Sequence, residues 1–153
     1  MPSCPLVIDT HWTLDLWAFG DPRAAALRAA IESAQVRCLA CAAMRDELAR
    51  VLTYPRIAAF LARRTALTGC APERAMQQTL AAFDRHARLQ AAPPAALPRC
   101  RDPDDQIFID LAAAQRAVLL SRDRAVLALA RPLRAHGVCV QAEWLAASTR
   151  EAG

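Results

Sequence analysis

Leu6-Val7-Ile8-Asp9-Thr10 decides how the chain is read. Three consecutive apolar residues, two of them β-branched, fit a short strand covered on both faces, because a strand wet on one face would alternate. An aspartate closes the run. Segments 36–40 and 117–120 have the same apolar character, and Val138-Cys139-Val140 follows Gly137. Helical patterns lie between them. Asp21-Pro22 opens the first, with Leu27 and Ile31 one turn apart. A second runs over 42–53 and stops at Pro55, and a third covers 56–64 with Ile57, Phe60 and Leu61 inward. Pro72 opens a longer one on Met76, Thr79, Leu80, Phe83 and Ala87. Asp102-Pro103 starts another on Phe108, Leu111 and Ala112, and Ser121-Arg122-Asp123 opens the last. Short apolar strands alternating with helices predict an α/β fold, a three-layer α/β/α sandwich around a short, mostly parallel sheet. Right-handed crossovers then gather ligand sites at the carboxyl ends of the strands.

The chain has 153 residues, enough for one domain over 1–153. Apolar residues make up 55% and charged ones 22%, so a core can form. Segment 91–98, AAPPAALP, reads as a stiff extended connector. The four glycines, at 20, 69, 137 and 153, stand too far apart for a glycine-rich phosphate loop. Aromatics are 5%, too sparse for a base-stacking sheet. All 19 basic residues are arginine, which excludes Schiff-base chemistry and a phosphate-loop lysine. No signal segment and no apolar run of membrane-spanning length occurs in the sequence, so a cytoplasmic protein without membrane contact is expected.

Six cysteines include Cys38-Leu39-Ala40-Cys41, a CxxC. A zinc site needs a second ligand pair, and there is no second CxxC or histidine pair. The pair lies inside an apolar run and is expected to be buried as small hydrophobes.

Carboxylates carry the chemistry. Asp9 follows the first strand run, and Asp123 comes just after the third. Glu47 lies within the stripe Met44, Leu48, Val51, Leu52, where an ionised carboxylate is costly without a cation or donors. In Asp102-Pro103-Asp104-Asp105, Asp102 fits a helix cap and Asp105 aims past the helix start, while Asp104 and Asp110 read as solvent-facing. Asp9, Glu47, Asp105 and Asp123 come from four segments that this topology brings to one edge. Clustered carboxylates repel unless a hard cation neutralises them. Oxygen donors alone favour Mg²⁺ or Mn²⁺, ions that support phosphodiester hydrolysis.

Charge is unevenly spread. Segment 56–101 carries +6 of a net +4 for the chain. Within the basic helical segment at about 56–90, Arg74, Gln78, Arg85 and Arg88 are expected on one face, and Arg74, Arg85 and Arg88 are candidate phosphate contacts for RNA.

In these stretches the sequence resembles the PIN-domain ribonuclease family, in particular its bacterial toxin components of toxin–antitoxin systems. The blocks are Leu6-Val7-Ile8-Asp9-Thr10, the run from Met44 to Leu52, the run from Asp102 to Ala112, and Leu119-Leu120-Ser121-Arg122-Asp123. The resemblance implies an acidic metal centre that hydrolyses RNA, with Asp9, Glu47, Asp105 and Asp123 as metal ligands and catalytic acids. It also implies a homodimer and a cognate antitoxin protein that blocks the groove. Thr10, His11 and Ser121 would stand beside the ligands. His11 occupies the place of the family's usual asparagine.

Three other readings compete. A dehalogenase-type phosphotransfer domain wants an aspartate at the position of His11, and a receiver domain wants a lysine. A PIN-like module with a degenerate site, binding RNA or protein, would explain His11. A redox role for Cys38 and Cys41 is the third.

Overall fold

The computed structural model describes residues 3–96 and 98–144. Of the expected domain 1–153, positions 1–2, 97 and 145–153 lie outside the described residues. Five strands make one sheet: β1 (Cys4–Ile8), β2 (Val36–Cys41), β3 (Ala87–Gln90), β4 (Val118–Leu120) and β5 (Cys139–Gln141). Their spatial order is β3-β2-β1-β4-β5, and every pairing is parallel. Helices α1 (Thr10–Trp17), α2 (Ala25–Glu32), α3 (Ala42–Val51), α4 (Pro55–Thr68), α5 (Pro72–His86), α6 (Gln106–Gln115), α7 (Arg124–Leu127) and α8 (Ala130–Arg134) connect them. This is the α/β sandwich that the apolar runs predict.

The central strands explain the continuous apolar run. Leu6, Val7, Leu119 and Leu120 are fully buried, as strands covered on both faces require. The chain steps outward from β1 to β2 and β3, then returns to place β4 on the other side of β1. Right-handed crossovers send the helices of the two halves to opposite faces, so a crevice opens beyond the carboxyl ends of β1 and β4. Register carries this to individual residues. Ile8 pairs with Leu120, and the Asp9 amide donates to the Leu120 carbonyl at 3.1 Å. The residues that follow, Asp9 and Ser121, are therefore neighbours.

Besides Phe60, expected inward but exposed on α4, the structure departs from the sequence reading in four places. Residues 87–90 form β3 and not the end of a helix, because the β2 edge supplies Cys38 through Cys41 as partners. Ala, Arg, Leu and Gln all favour helix, and tertiary pairing overrides that preference. Arg88 thus lies on an edge strand and not on the arginine face of α5. Thr10–Trp17 is helical although Thr, His and Trp are weak helix formers, because Asp9 caps it and its apolar side chains bury. The third helix, α4, continues to Thr68, where Gly69 at φ 73° ends it.

Asp110 is the fourth. It is buried, not solvent-facing. Its Oδ1 accepts from the Ala96 amide at 2.9 Å and from Gln106 Nε2 at 2.8 Å. Gln106 Oε1 in turn accepts from the Cys100 amide. An extended segment of the 91–98 type has no ladder for its amides, and these two buried side chains supply partners. They strap the connector onto α6 and so set the height at which Asp102 and Asp105 begin.

Candidate active site

Asp9 is almost fully buried at the end of β1. Its Oδ1 accepts from the Trp12 amide at 2.9 Å and caps α1, while Thr13 Oγ1 donates to its carbonyl. Capping fixes the rotamer, and burial pushes the carboxyl above its ordinary range. The Trp12 amide and the Ser121 hydroxyl counter part of that rise. Cap and candidate ligand are therefore one residue, a coincidence hidden until α1 is seen to be a helix.

Glu47 sits mid-α3, half-buried beside Met44 and Leu48 as its spacing predicts. Thr10 Oγ1 donates to its Oε2 at 3.1 Å. Desolvation raises its carboxyl, and the Thr10 bond works against that.

Asp102 caps a short 3₁₀ turn over Pro103–Asp105, accepting from the Asp104 amide at 3.0 Å. Asp105 follows at the junction with α6 and makes no cap bond of its own. Its carboxyl is pushed up to about 6, first by burial and then by the charges of Asp123, Asp102, Asp9 and Glu47. Asp123 caps α7, its Oδ1 accepting from the Ala125 amide at 2.8 Å. Ser121, buried, accepts from the Asp123 amide at 3.1 Å. One hydroxyl thereby ties the end of β4 to Asp123.

Two residues of this neighbourhood escape a reading of the letters. Arg122 Nη1 meets Asp15 Oδ2 at 2.6 Å, its Nε meets Glu143 Oε1 at 3.0 Å, and its guanidinium lies 4.1 Å from the centre of the Trp12 ring. The segment between Ser121 and Asp123 is thereby anchored to the helix that Asp9 caps. The one local signal was Asp15 standing between Leu14 and Leu16, an acid in an apolar setting.

Asp9, Glu47, Asp105 and Asp123 line one cleft of about 380 Å³, together with Thr10, His11 and Asp102. Leu14, Val51, Tyr54, Arg56 and Ile57 complete its lining. Arg74, Arg85 and Arg88 are exposed, and none of them lines this cleft. Cys38 and Cys41 are buried free thiols, and burial pushes the Cys38 thiol up to about 12. A thiol so reluctant to ionise is a poor nucleophile and metal ligand.

The donor set suits a hard cation in chemical type. It offers carboxylate oxygens, and Asp105 is repelled by four other acids whose charge a cation would balance. Among the described residues no three acid, histidine or cysteine side chains already close around one ion. The carboxylates line the cleft as an open ring.

Comparison with known proteins agrees with this architecture. No curated protein matches the chain. The family model described as PIN domain matches residues 5–125, from the first strand through the acid that follows the fourth. With most of its length covered by that match, and a parallel sheet beside a cleft that gathers five acids, the chain belongs to the PIN-domain family, whose fold is that of a nuclease.

Proposed function

We propose that the chain is a divalent-metal-dependent endoribonuclease and the toxin of a toxin–antitoxin pair. One observation carries the nuclease reading: five acids, Asp102 beside Asp105 among them, come from four separate segments to line a single cleft. Asp9, Glu47, Asp105 and Asp123 would hold Mg²⁺ or Mn²⁺. When bound, the cation supplies charge stabilisation at the phosphoryl oxygens and lowers the pKa of water.

The chain's own residues supply orientation. The Trp12 amide holds Asp9, Thr10 holds Glu47 Oε2, and Ser121 couples Asp123 to the end of β4. Leu14, Val51 and Ile57 give the cleft apolar lining that limits water. Arg74, Arg85 and Arg88 would add long-range attraction for RNA, positioning a strand without reading its sequence. The likeness of its motif blocks to those of bacterial toxins supports a cytoplasmic homodimer with a cognate antitoxin protein covering the cleft. No helix among the described residues is long and apolar enough to cross a membrane.

RNA cleavage by the purified protein in Mg²⁺ or Mn²⁺ tests the reading, and an inert protein in both ions would reject it. The open ring of carboxylates and the exposed His11 favour a second reading, a degenerate PIN-like module that binds RNA or protein. Calorimetry separates the two, since a degenerate module gives no Mn²⁺ signal even with RNA present.

A further inference from the structure

The acids account for part of the cleft lining, and the rest has a different composition. There Tyr54 stands among Leu14, Val51, Ile57 and Arg56. It is 51% exposed, a large aromatic left in water on the lining of the cleft. Half of its surface is out of contact with the core, whereas the nearby Leu52 is fully buried.

Its backbone is fixed from both directions. The Tyr54 amide donates to the Val51 carbonyl at 3.0 Å, and its own carbonyl accepts from the Ala58 amide at 2.8 Å. Pro55 follows at the first position of α4 and restricts Tyr54 to the extended backbone it adopts, φ −64° and ψ 138°. The ring therefore projects from a rigid corner between two helices, and little order is lost when something packs against it. Two residues on, Arg56 is the one arginine among the described residues that lines the cleft. It places a phosphate-binding charge in the same cleft as the ring and the carboxylates.

We infer that Tyr54 and Arg56 form a nucleotide subsite, in which Tyr54 stacks an unpaired base next to the scissile phosphate and Arg56 contacts the backbone. This inference rests on the nuclease reading and assigns the base contact within it to Tyr54. A ring can cover a base face only where that face is not stacked in a duplex. A cleft of about 380 Å³ lies at the small end of ligand sites and suits a nucleotide, not a paired strand. Stacking on one aromatic tolerates every base, so the subsite selects unpaired structure and not sequence.

The test is steady-state cleavage of a single-stranded oligoribonucleotide by the full chain and by Tyr54→Ala, Tyr54→Phe and Tyr54→Trp. Binding of a labelled strand is read in parallel by fluorescence anisotropy, in Mg²⁺ and in EDTA. Tyr54→Ala is expected to raise KM and Kd about tenfold with kcat nearly unchanged, and the two aromatic variants to keep the wild-type values. Strands with an abasic sugar at successive positions give a second readout. At the stacked position, loss of the base should weaken wild-type binding about tenfold and leave Tyr54→Ala indifferent. Arg56→Ala should flatten the salt dependence of binding by about one phosphate contact. If the wild type binds but never cleaves, the nuclease reading fails and the anisotropy series still judges the subsite. Wild-type KM and Kd in Tyr54→Ala would overturn the subsite, as would a Tyr54→Phe defect equal to that of Tyr54→Ala. Equal binding of double-stranded RNA would also overturn it.

Discussion

Thr10 Oγ1 donates to Glu47 Oε2 at 3.1 Å, joining residues 37 positions apart across the first turn of α1 and the middle of α3. The bond favours the charged carboxylate against the burial that disfavours it. Thr10→Val keeps the shape and removes the donor. Partners that orient metal ligands typically contribute 10–100-fold in affinity, so Mn²⁺ binding by calorimetry should weaken by about that factor. Thr10→Ser should retain most of the wild-type affinity.

Asp105 makes the metal-free protein sensitive to pH. Unfolded, its carboxyl ionises near 3.8, and in the fold it does so at about 6. Between those values the folded chain keeps a proton that the unfolded chain has shed. Its contribution to stability therefore falls as pH rises from about 4 to about 6 and is level above that. Thermal unfolding in EDTA should show this slope, and Asp105→Asn should reduce it. Added Mg²⁺ should raise Tm more at about pH 7 than at about pH 5, where a proton competes for the same oxygens.

Arg122 and Asp15 predict a coupling rather than a single loss. Their 2.6 Å pair is mostly shielded from water, and the guanidinium also covers Trp12. Arg122→Met leaves Asp15 without its cation and should cost about 2–3 kcal/mol in urea unfolding. Adding Asp15→Leu should recover part of that loss. Arg122→Lys keeps the charge but lacks the planar fork and the stacking surface, so it should fall between wild type and Arg122→Met.

Much of the fold was legible because the central strands are buried on both faces and so read as apolar runs. β3 was not, since Ala87, Arg88, Leu89 and Gln90 favour helix one by one and become a strand only beside β2. α1 was hidden for the opposite reason, being built from Thr, His and Trp and nucleated by a cap. Glu47 was readable because an acid inside an apolar stripe needs a partner. Arg122 with Asp15 was not, because 107 positions separate them and no periodicity spans that distance. Asp110 had looked like surface, and only the course of the connector gives it the Ala96 amide to bind.

That strap makes its own prediction. Asp110→Ala removes the acceptor for the Ala96 amide and for Gln106 Nε2 in a buried setting. A cost of about 1–3 kcal/mol in chemical denaturation is expected. Hydrogen exchange should localise the loosening to the connector and the Pro103–Asp105 turn, leaving β1 and β4 protected.

Asp9→Asn asks whether the acids act through charge. Asparagine keeps an Oδ1 that can accept from the Trp12 amide, so the cap and α1 survive while one negative charge is lost. Cleavage of single-stranded RNA should be measured for the wild type and for Asp9→Asn, each in Mg²⁺, in Mn²⁺ and in EDTA. The wild type should cut in either ion and stop in EDTA, and the variant should be folded and inactive throughout. Equal cutting by the two proteins, or cutting that persists in EDTA, would contradict a carboxylate-held cation as the source of the activity.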